Sequence, residues 1–180
     1  MNKGGSYEEA AVLYRSNAQS RAIEEALLRV SIPYRIYGGL RFYERLEIKN
    51  AIAYLKVIFN NSDNPSFERS ISNPTRGVGE KTLAKIRNAA KQYNISYIKA
   101  SAKLIDEGSI SGRGGSGLRD YLEFIAGCKS FIEENLLSEL MELIIKESGL
   151  YAYHAKEPGE KGKTRTENLE ELITATKNFE

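Results

Sequence analysis

The sequence predicts a mainly α-helical protein, in which a small βαβ piece is followed by an all-helical domain. Two short runs with strand character flank one amphipathic helix within residues 10–37. From residue 46 onward, apolar residues recur at helical spacing, and no later segment alternates as a half-buried strand would. These observations predict a boundary near residue 42, with domains at residues 1–42 and 43–180.

The N-terminal piece is predicted as strand, helix, strand. The first strand covers residues 10–14, the helix residues 20–30 and the second strand residues 34–37, which Gly38 and Gly39 end. A βαβ order implies parallel pairing. Because two strands alone do not make a stable sheet, we expect this piece to belong to a larger sheet whose other strands lie outside this sequence.

The second part is predicted to contain helices joined by polar loops. The predicted helices are 46–59, 67–72, 81–93, 96–105, 118–134, 137–148 and 167–179. Composition predicts loops at residues 60–65, 108–117 and 157–164, where Gly, Pro, Ser and Asn are frequent.

Composition excludes several classes of protein. A single cysteine, Cys128, and a single histidine, His154, rule out a disulfide framework and most Cys- or His-based metal sites, so no metal site is predicted. We expect Cys128 to be packed and His154 to lie at the surface. No apolar run approaches the ~20 residues that span a bilayer, and no signal peptide is recognisable, so we expect a cytoplasmic protein without a membrane partner.

The motif with the strongest physical signal lies between the helices predicted at 67–72 and 81–93. There Gly77-Val78-Gly79 turns the chain, which gives the fold a helix-hairpin-helix-like element typical of DNA-binding proteins. Glycines let the backbone approach a phosphate, and the following helix start directs free N–H groups at it. The predicted contacts to a duplex backbone are Thr75, Arg76, Gly77, Val78, Gly79, Lys81 and Thr82.

The local charge supports a nucleic-acid contact. The net charge of the chain is only +2, but residues 69–103 contain eight Lys or Arg and one Glu. The alternative is a glycine-containing turn with a solvated basic face. Further candidate DNA contacts are Arg41, Arg45 and Lys49, at helical spacing, and Lys161, Lys163 and Arg165, in a polar loop. The alternative for each set is again a solvated surface.

No catalytic residue is predicted. Two segments imitate a phosphate-binding P-loop, but Glu80 separates Gly79 from Lys81 in the first, and Glu157 replaces the leading glycine in the second, which ends in Gly162-Lys163-Thr164. Neighbouring carboxylates such as Glu133 and Glu134 diverge around their helices, which is typical of solvated faces.

Four ordered segments carry a resemblance to the UvrD/PcrA/Rep family of superfamily 1 DNA helicases. The segment Ala11-Val-Leu-Tyr-Arg-Ser-Asn-Ala-Gln-Ser-Arg21 resembles helicase motif IV of that family, and residues 32–49 resemble the part that follows it. Asn73-Pro-Thr-Arg-Gly-Val-Gly79 is similar to the family's duplex-contacting hairpin. Residues 159–172 resemble a further family segment.

The resemblance implies an internal fragment of an ATP-dependent 3′–5′ DNA helicase of nucleotide-excision and mismatch repair. Residues 1–42 would be part of the RecA-like subdomain 2A, and residues 43–180 most of the helical, duplex-binding subdomain 2B. Arg15 and Asn17 would contact the single strand. The partners implied are DNA at a junction of duplex and single strand, and DNA-repair proteins.

The same resemblance implies that this sequence lacks the ATP-binding motifs of the family. The parent helicase uses ATP and Mg²⁺, but the Walker A and B motifs and motifs V and VI are not in this sequence. We therefore expect no cofactor in this fragment and no ATPase activity from it alone. The alternative is a self-contained, non-enzymatic helix-hairpin-helix DNA-binding module or a protein-interaction module.

Overall fold

The computed structural model describes residue 7, residues 10–36 and residues 40–178. Within these residues the regular structure is helical. The α-helices are α1 (Ser20–Arg29), α2 (Leu46–Phe59), α3 (Asn64–Ser72), α4 (Glu80–Tyr93), α5 (Tyr97–Asp106), α6 (Gly112–Phe131), α7 (Leu137–Glu147), α8 (Leu150–Ala155) and α9 (Glu160–Lys177). Two 3₁₀-helices, Asn17–Gln19 and Phe42–Glu44, precede α1 and α2.

Side chains fix several helix ends. Asp63 accepts a hydrogen bond from the Ser66 amide at 3.0 Å and so caps α3 at its N-terminus. At the start of α7, the Glu139 carboxylate accepts from the Leu136 amide at 2.9 Å. Helix α4 ends at Asn94, whose φ of 51° is left-handed, a conformation that Asn tolerates better than most residues. These local signals explain why the helices at 64–72, 80–93 and 137–147 lie close to their predicted positions.

Helix α2 lies at the centre of the core and packs against α3, α6, α7 and α9. Its Tyr54 side chain is fully buried, as are Phe67 of α3 and Tyr121 of α6. The rings of Phe67 and Tyr121 meet edge to face, with centroids 5.5 Å apart. Burying a side chain of this size stabilises the fold by roughly 1.5–3 kcal/mol, so the core depends strongly on these aromatic residues.

The predicted βαβ piece is not formed in the described residues. Residues 10–14 and 34–36 have no strand structure, and Tyr37 lies outside the described residues. Val12 and Leu13 are 59% and 95% exposed, because no neighbouring strand supplies backbone partners or covers their side chains. The helix between them, α1, is confirmed. The RecA-like assignment of residues 1–42 stays a prediction.

Two predicted loops are largely helical. Helix α6 begins at Gly112 instead of residue 118, and α9 begins at Glu160 instead of residue 167. The short helix α8 was not predicted; Gly149, with a φ of 83°, separates it from α7. Glycine weakens an isolated helix, but tertiary packing can override that propensity, as α6 shows below. None of the described helices is long and apolar enough to cross a membrane.

Helix α9 returns to the N-terminal segment. Ser16 donates to the Glu167 carboxylate at 3.0 Å, and Arg21 donates to Glu171 at 2.6 Å. The Arg21 side chain is only 6% exposed, so this ion pair is largely shielded from solvent. The first and last helices therefore lie side by side.

Candidate nucleic-acid interface

Residues 73–79, which contain the predicted hairpin, connect α3 to α4. Gly77 has a φ of +75°, a left-handed conformation that favours glycine. Gly79 has an ordinary φ of −99°, and a Cβ added there would meet no atom within 4 Å. Gly77 is thus required by backbone conformation, whereas Gly79 leaves open space at the start of α4.

Arg76 points into the molecule and attaches the hairpin to the helical body. Its guanidinium donates to the carbonyl oxygens of Pro74 at 2.8 Å and Ser148 at 2.7 Å. It also lies over the rings of Tyr54 and Tyr121, at 5.5 and 5.6 Å from their centroids. Burial raises the pKa of Tyr54 to about 12, so its hydroxyl stays neutral. Arg76 therefore has a structural role, and its contact with DNA stays a prediction.

The glycine-rich start of α6 packs against the same hairpin. A Cβ added at Gly114 would lie 3.1 Å from the carbonyl oxygen of Gly77, and one at Gly117 would lie 1.9 Å from that of Arg76. The two glycines are three residues apart and so share one face of the helix. This spacing is the feature of the sequence that could have indicated a close contact between a helix and the backbone. Composition alone favoured a loop there.

The structure brings most of the predicted duplex contacts together around the hairpin. Thr75, Gly77, Gly79 and Lys81 are exposed, whereas Val78 and Thr82 are half-buried. Thr82 faces α6, because the Cβ position at Gly114 is 3.6 Å from its Oγ1. The amides of Glu80 and Lys81 have no acceptor within the described part of the chain.

The basic stretch at residues 69–103 is less positive than its count suggests. Arg87 forms ion pairs with Glu68 at 2.6 Å and with Glu80 at 2.5 Å. Hydrogen bonds to these two carboxylates raise the pKa of Arg87. Lys103 pairs with Glu107 at 2.6 Å. Glu68 and Glu107 lie just outside the counted window, so part of the counted positive charge is paired, whereas Lys81 forms no ion pair with any described residue.

The three basic residues at positions 41, 45 and 49 do not form one exposed face. Arg45 is buried, and its guanidinium donates to Asn168 at 2.8 Å and to Ser20 at 2.7 Å. Desolvation by burial lowers the pKa of Arg45. Arg41 is exposed and lies over the Tyr34 ring, and Lys49 is exposed on α2. The alternative interpretation, a solvated face, is therefore wrong for Arg45, and its candidate contact with DNA stays a prediction.

The basic residues 161, 163 and 165 lie in the first turns of α9. Lys161 and Lys163 are exposed, but Arg165 is half-buried and donates to the Glu157 carboxylate. His154 is 1% exposed and forms a 2.6 Å hydrogen bond with Glu157, so its predicted surface position is wrong. The hydrogen bond with His154 and the charge of Arg165 lower the pKa of Glu157 to about 2.

The second P-loop look-alike lies inside α9. Gly162 is buried, and a Cβ added there would lie 2.3 Å from the carbonyl oxygen of Glu157. A P-loop instead directs backbone N–H groups from a loop toward phosphates. Helix α9 already begins at Glu160, so Gly162-Lys163-Thr164 lacks the glycine-rich loop that precedes the helix in a P-loop. The described residues contain no group of His, Cys, Asp and Glu that could hold a metal ion.

The two predicted single-strand contacts lie before α1. Arg15 is exposed, and its backbone amide donates to the Gln19 side chain at 3.0 Å. Asn17 begins the 3₁₀-helix Asn17–Gln19, and its side chain lies outside the described part of the structure. The role of both residues stays a prediction.

Comparisons with known proteins show which proteins this chain is similar to. The family model of the UvrD-like helicase C-terminal domain matches residues 1–110. The chain is 46% identical to DNA helicase II of Escherichia coli (strain K12) over 178 residues, covering 99% of this chain and 25% of that protein. It is 48% identical to DNA helicase II of Haemophilus influenzae over 98% of this chain and 24% of that protein.

A similar match extends to a second named group. The chain is 38% identical to the ATP-dependent DNA helicase PcrA of Leuconostoc citreum, over 97% of this chain and 23% of that protein. The chain thus spans about a quarter of the length of the curated relatives it matches.

Proposed function

Because this chain belongs to the family of UvrD-like helicase C-terminal domains, we propose that it is the DNA-holding part of an ATP-dependent DNA helicase. In this proposal, residues 1–42 belong to subdomain 2A and residues 43–180 to the helical subdomain 2B. The whole enzyme moves 3′ to 5′ in nucleotide-excision and mismatch repair. It binds ATP and Mg²⁺ through segments that are not in this sequence.

The exposed hairpin is the observation that carries the proposal. Gly77 and Gly79 present bare backbone at the surface, directly before α4. The amides of Glu80 and Lys81 remain available within the described chain, and the partial positive charge of a helix start adds to them. These groups suit a phosphate oxygen, and they do not read base sequence.

The charges beside the hairpin support the same ligand. Glu80 is the one acidic residue in the first turn of α4, and Arg87 pairs with its carboxylate at 2.5 Å. The exposed Lys81 next to it has no such partner in the described residues. The positive charge of Lys81 therefore faces an approaching phosphate without a competing free carboxylate at Glu80.

Residues 15 and 17 would contact the single strand from the other end of the chain. Arg15 is exposed before α1, which places on the N-terminal segment a positive charge that pairs with no carboxylate of the described residues. The exposed lysines 161 and 163 on α9 would add nonspecific contacts. DNA-repair proteins remain proposed partners of the helical surface.

The test is a fluorescence-anisotropy titration with duplex, forked and single-stranded DNA at two salt concentrations. We expect duplex binding that weakens steeply with salt, because released counterions drive phosphate contacts. The variant Gly77→Ala/Gly79→Ala should bind duplex more weakly.

The matched control is Gly108→Ala/Gly127→Ala. Gly108 has a φ of +69°, as Gly77 has +75°, and neither control glycine has an atom within 4 Å of its Cβ position. The control therefore places alanine at one left-handed position, Gly108, and at one position with open space, Gly127, both away from the hairpin. Equal duplex affinity of the two double variants would contradict the proposed interface.

A further inference from the structure

We propose that Arg113 of α6 is a phosphate-binding residue of the same interface, so that the duplex contact combines the hairpin with a second helix. This inference rests on the proposed function. The sequence did not predict a contact at Arg113, because residues 108–117 were expected to form a loop separate from the hairpin.

The position of the Arg113 side chain is the first observation. A Cβ added at Gly77 would lie 2.9 Å from Cγ of Arg113 and 3.4 Å from its Cδ. The aliphatic part of Arg113 therefore crosses Gly77 in close contact. Its guanidinium group begins one bond beyond Cδ, beside the hairpin backbone that is proposed to meet a phosphate.

The second observation is that nothing in the described chain uses this guanidinium. Arginines 45, 69, 76, 87 and 165 each donate to a protein acceptor. Arg113 is exposed and makes no hydrogen bond or ion pair with any described residue. An exposed, unpaired guanidinium can bind a phosphate with two parallel hydrogen bonds.

The third observation concerns how firmly the residue is placed. Gly114, the next residue, packs its backbone against the carbonyl oxygen of Gly77, with a Cβ position 3.1 Å away. Helix α6 and the hairpin are thus in direct contact at this point. Arg113 and Lys81 belong to two helices that both start beside the hairpin, so one phosphate group or two adjacent ones could contact both.

The test compares Arg113→Gln with Arg119→Gln. Arg119 is also exposed on α6 and also makes no hydrogen bond or ion pair with any described residue, so the two variants lose the same charge from the same helix. We expect Arg113→Gln to weaken duplex binding about tenfold, as loss of a charge-assisted hydrogen bond would. The slope of log affinity against log salt should fall by about 0.9, the value for one phosphate contact.

Arg113→Lys gives a second readout. Lysine keeps the charge but loses the bidentate geometry, so the salt slope should be retained while affinity falls only in part. The free energy of unfolding in urea should be unchanged in all three variants, because Arg113 and Arg119 are exposed.

The outcomes are distinguishable. If the wild-type chain binds duplex, the hairpin variant binds weakly and Arg113→Gln binds like Arg119→Gln, this inference is overturned and the proposed function stands. If the wild-type chain shows no salt-dependent duplex binding, both fail.

Discussion

Asn168 of α9 donates a 2.6 Å hydrogen bond to the buried carboxylate of Glu47 on α2. Its carbonyl oxygen accepts a hydrogen bond from Arg45 at 2.8 Å. All three side chains are at most 8% exposed. One neutral amide therefore bridges two buried charges of opposite sign.

Removing that amide should destabilise the fold. We expect Asn168→Ala to lower the free energy of unfolding by about 2–3 kcal/mol, because the buried charged groups of Arg45 and Glu47 each lose one hydrogen bond. Urea unfolding followed by circular dichroism measures this. Asn88→Ala, at an exposed position of α4, is the control and should be nearly neutral. Equal effects would show that the buried network contributes little.

The two hairpin glycines should differ in their effect on stability. Gly77→Ala forces a side chain into a left-handed conformation and toward Arg113, so we expect a loss of about 1 kcal/mol or more. Gly79→Ala meets no atom within 4 Å and should change stability little. Thermal and urea unfolding of the single variants tests the difference. A larger loss for Gly79→Ala would mean that the hairpin conformation is assigned incorrectly.

Stability should depend on pH through Glu157. Its pKa is lowered to about 2 in the folded chain, so its contribution is fully present above the ordinary carboxyl pKa near 4.5 and is lost as pH falls toward 2. Urea unfolding of wild type and Glu157→Gln at pH 7, 4.5, 3 and 2 should show a stability difference that shrinks below about pH 4.5.

The control for that experiment is Glu160→Gln. Glu160 is exposed and makes no ion pair with any described residue, so its substitution should leave the acid profile of the wild type unchanged. A difference between wild type and Glu157→Gln that persists unchanged at pH 2 would contradict the assigned role of Glu157.

Cys128 should be unreactive in the folded chain. It is 1% exposed, and burial raises the pKa of its thiol to about 11, so little thiolate is present or accessible near neutral pH. Iodoacetamide labelling at pH 8, read by mass spectrometry, should be slow in buffer and fast in urea. Similar rates in both would show that α6 opens readily.

The 180-residue chain should not hydrolyse ATP. The two P-loop look-alikes fail by sequence, and Gly162 is part of α9. A coupled ATPase assay with single-stranded DNA present should show only background turnover. Activity that co-purifies with the chain through several chromatographic steps would contradict the prediction.

The sequence predicts the helices whose apolar spacing and caps agree. Helix α2 was predicted at its observed bounds because apolar residues such as Ala51, Tyr54 and Ile58 recur three and four residues apart. The start of α6 could not be found from local propensity, since glycines disfavour a helix and only the tertiary contact with Arg76 and Gly77 explains them. His154 was misplaced for a similar reason, because its burial depends on the packing of α8 against α9.

The spacing of Gly77 and Gly79 indicated a hairpin in the sequence, and the role of that segment in contacting DNA stays a prediction. The structure adds what spacing cannot give: Arg76 is turned inward, Arg45 is buried, and Arg113 lies beside Gly77. Periodicity assigns a charged residue to a helix. It does not say which arginine finds an internal acceptor.

The pairing of Arg21 with Glu171 has a topological consequence. The chain passes from α1 through seven further helices and returns in α9 to within a hydrogen bond of its starting helix. The contact between Arg21 and Glu171 thus closes a loop of 150 residues. Because the entropic cost of loop closure grows only slowly with loop length, closing this long loop costs little more than closing a much shorter one.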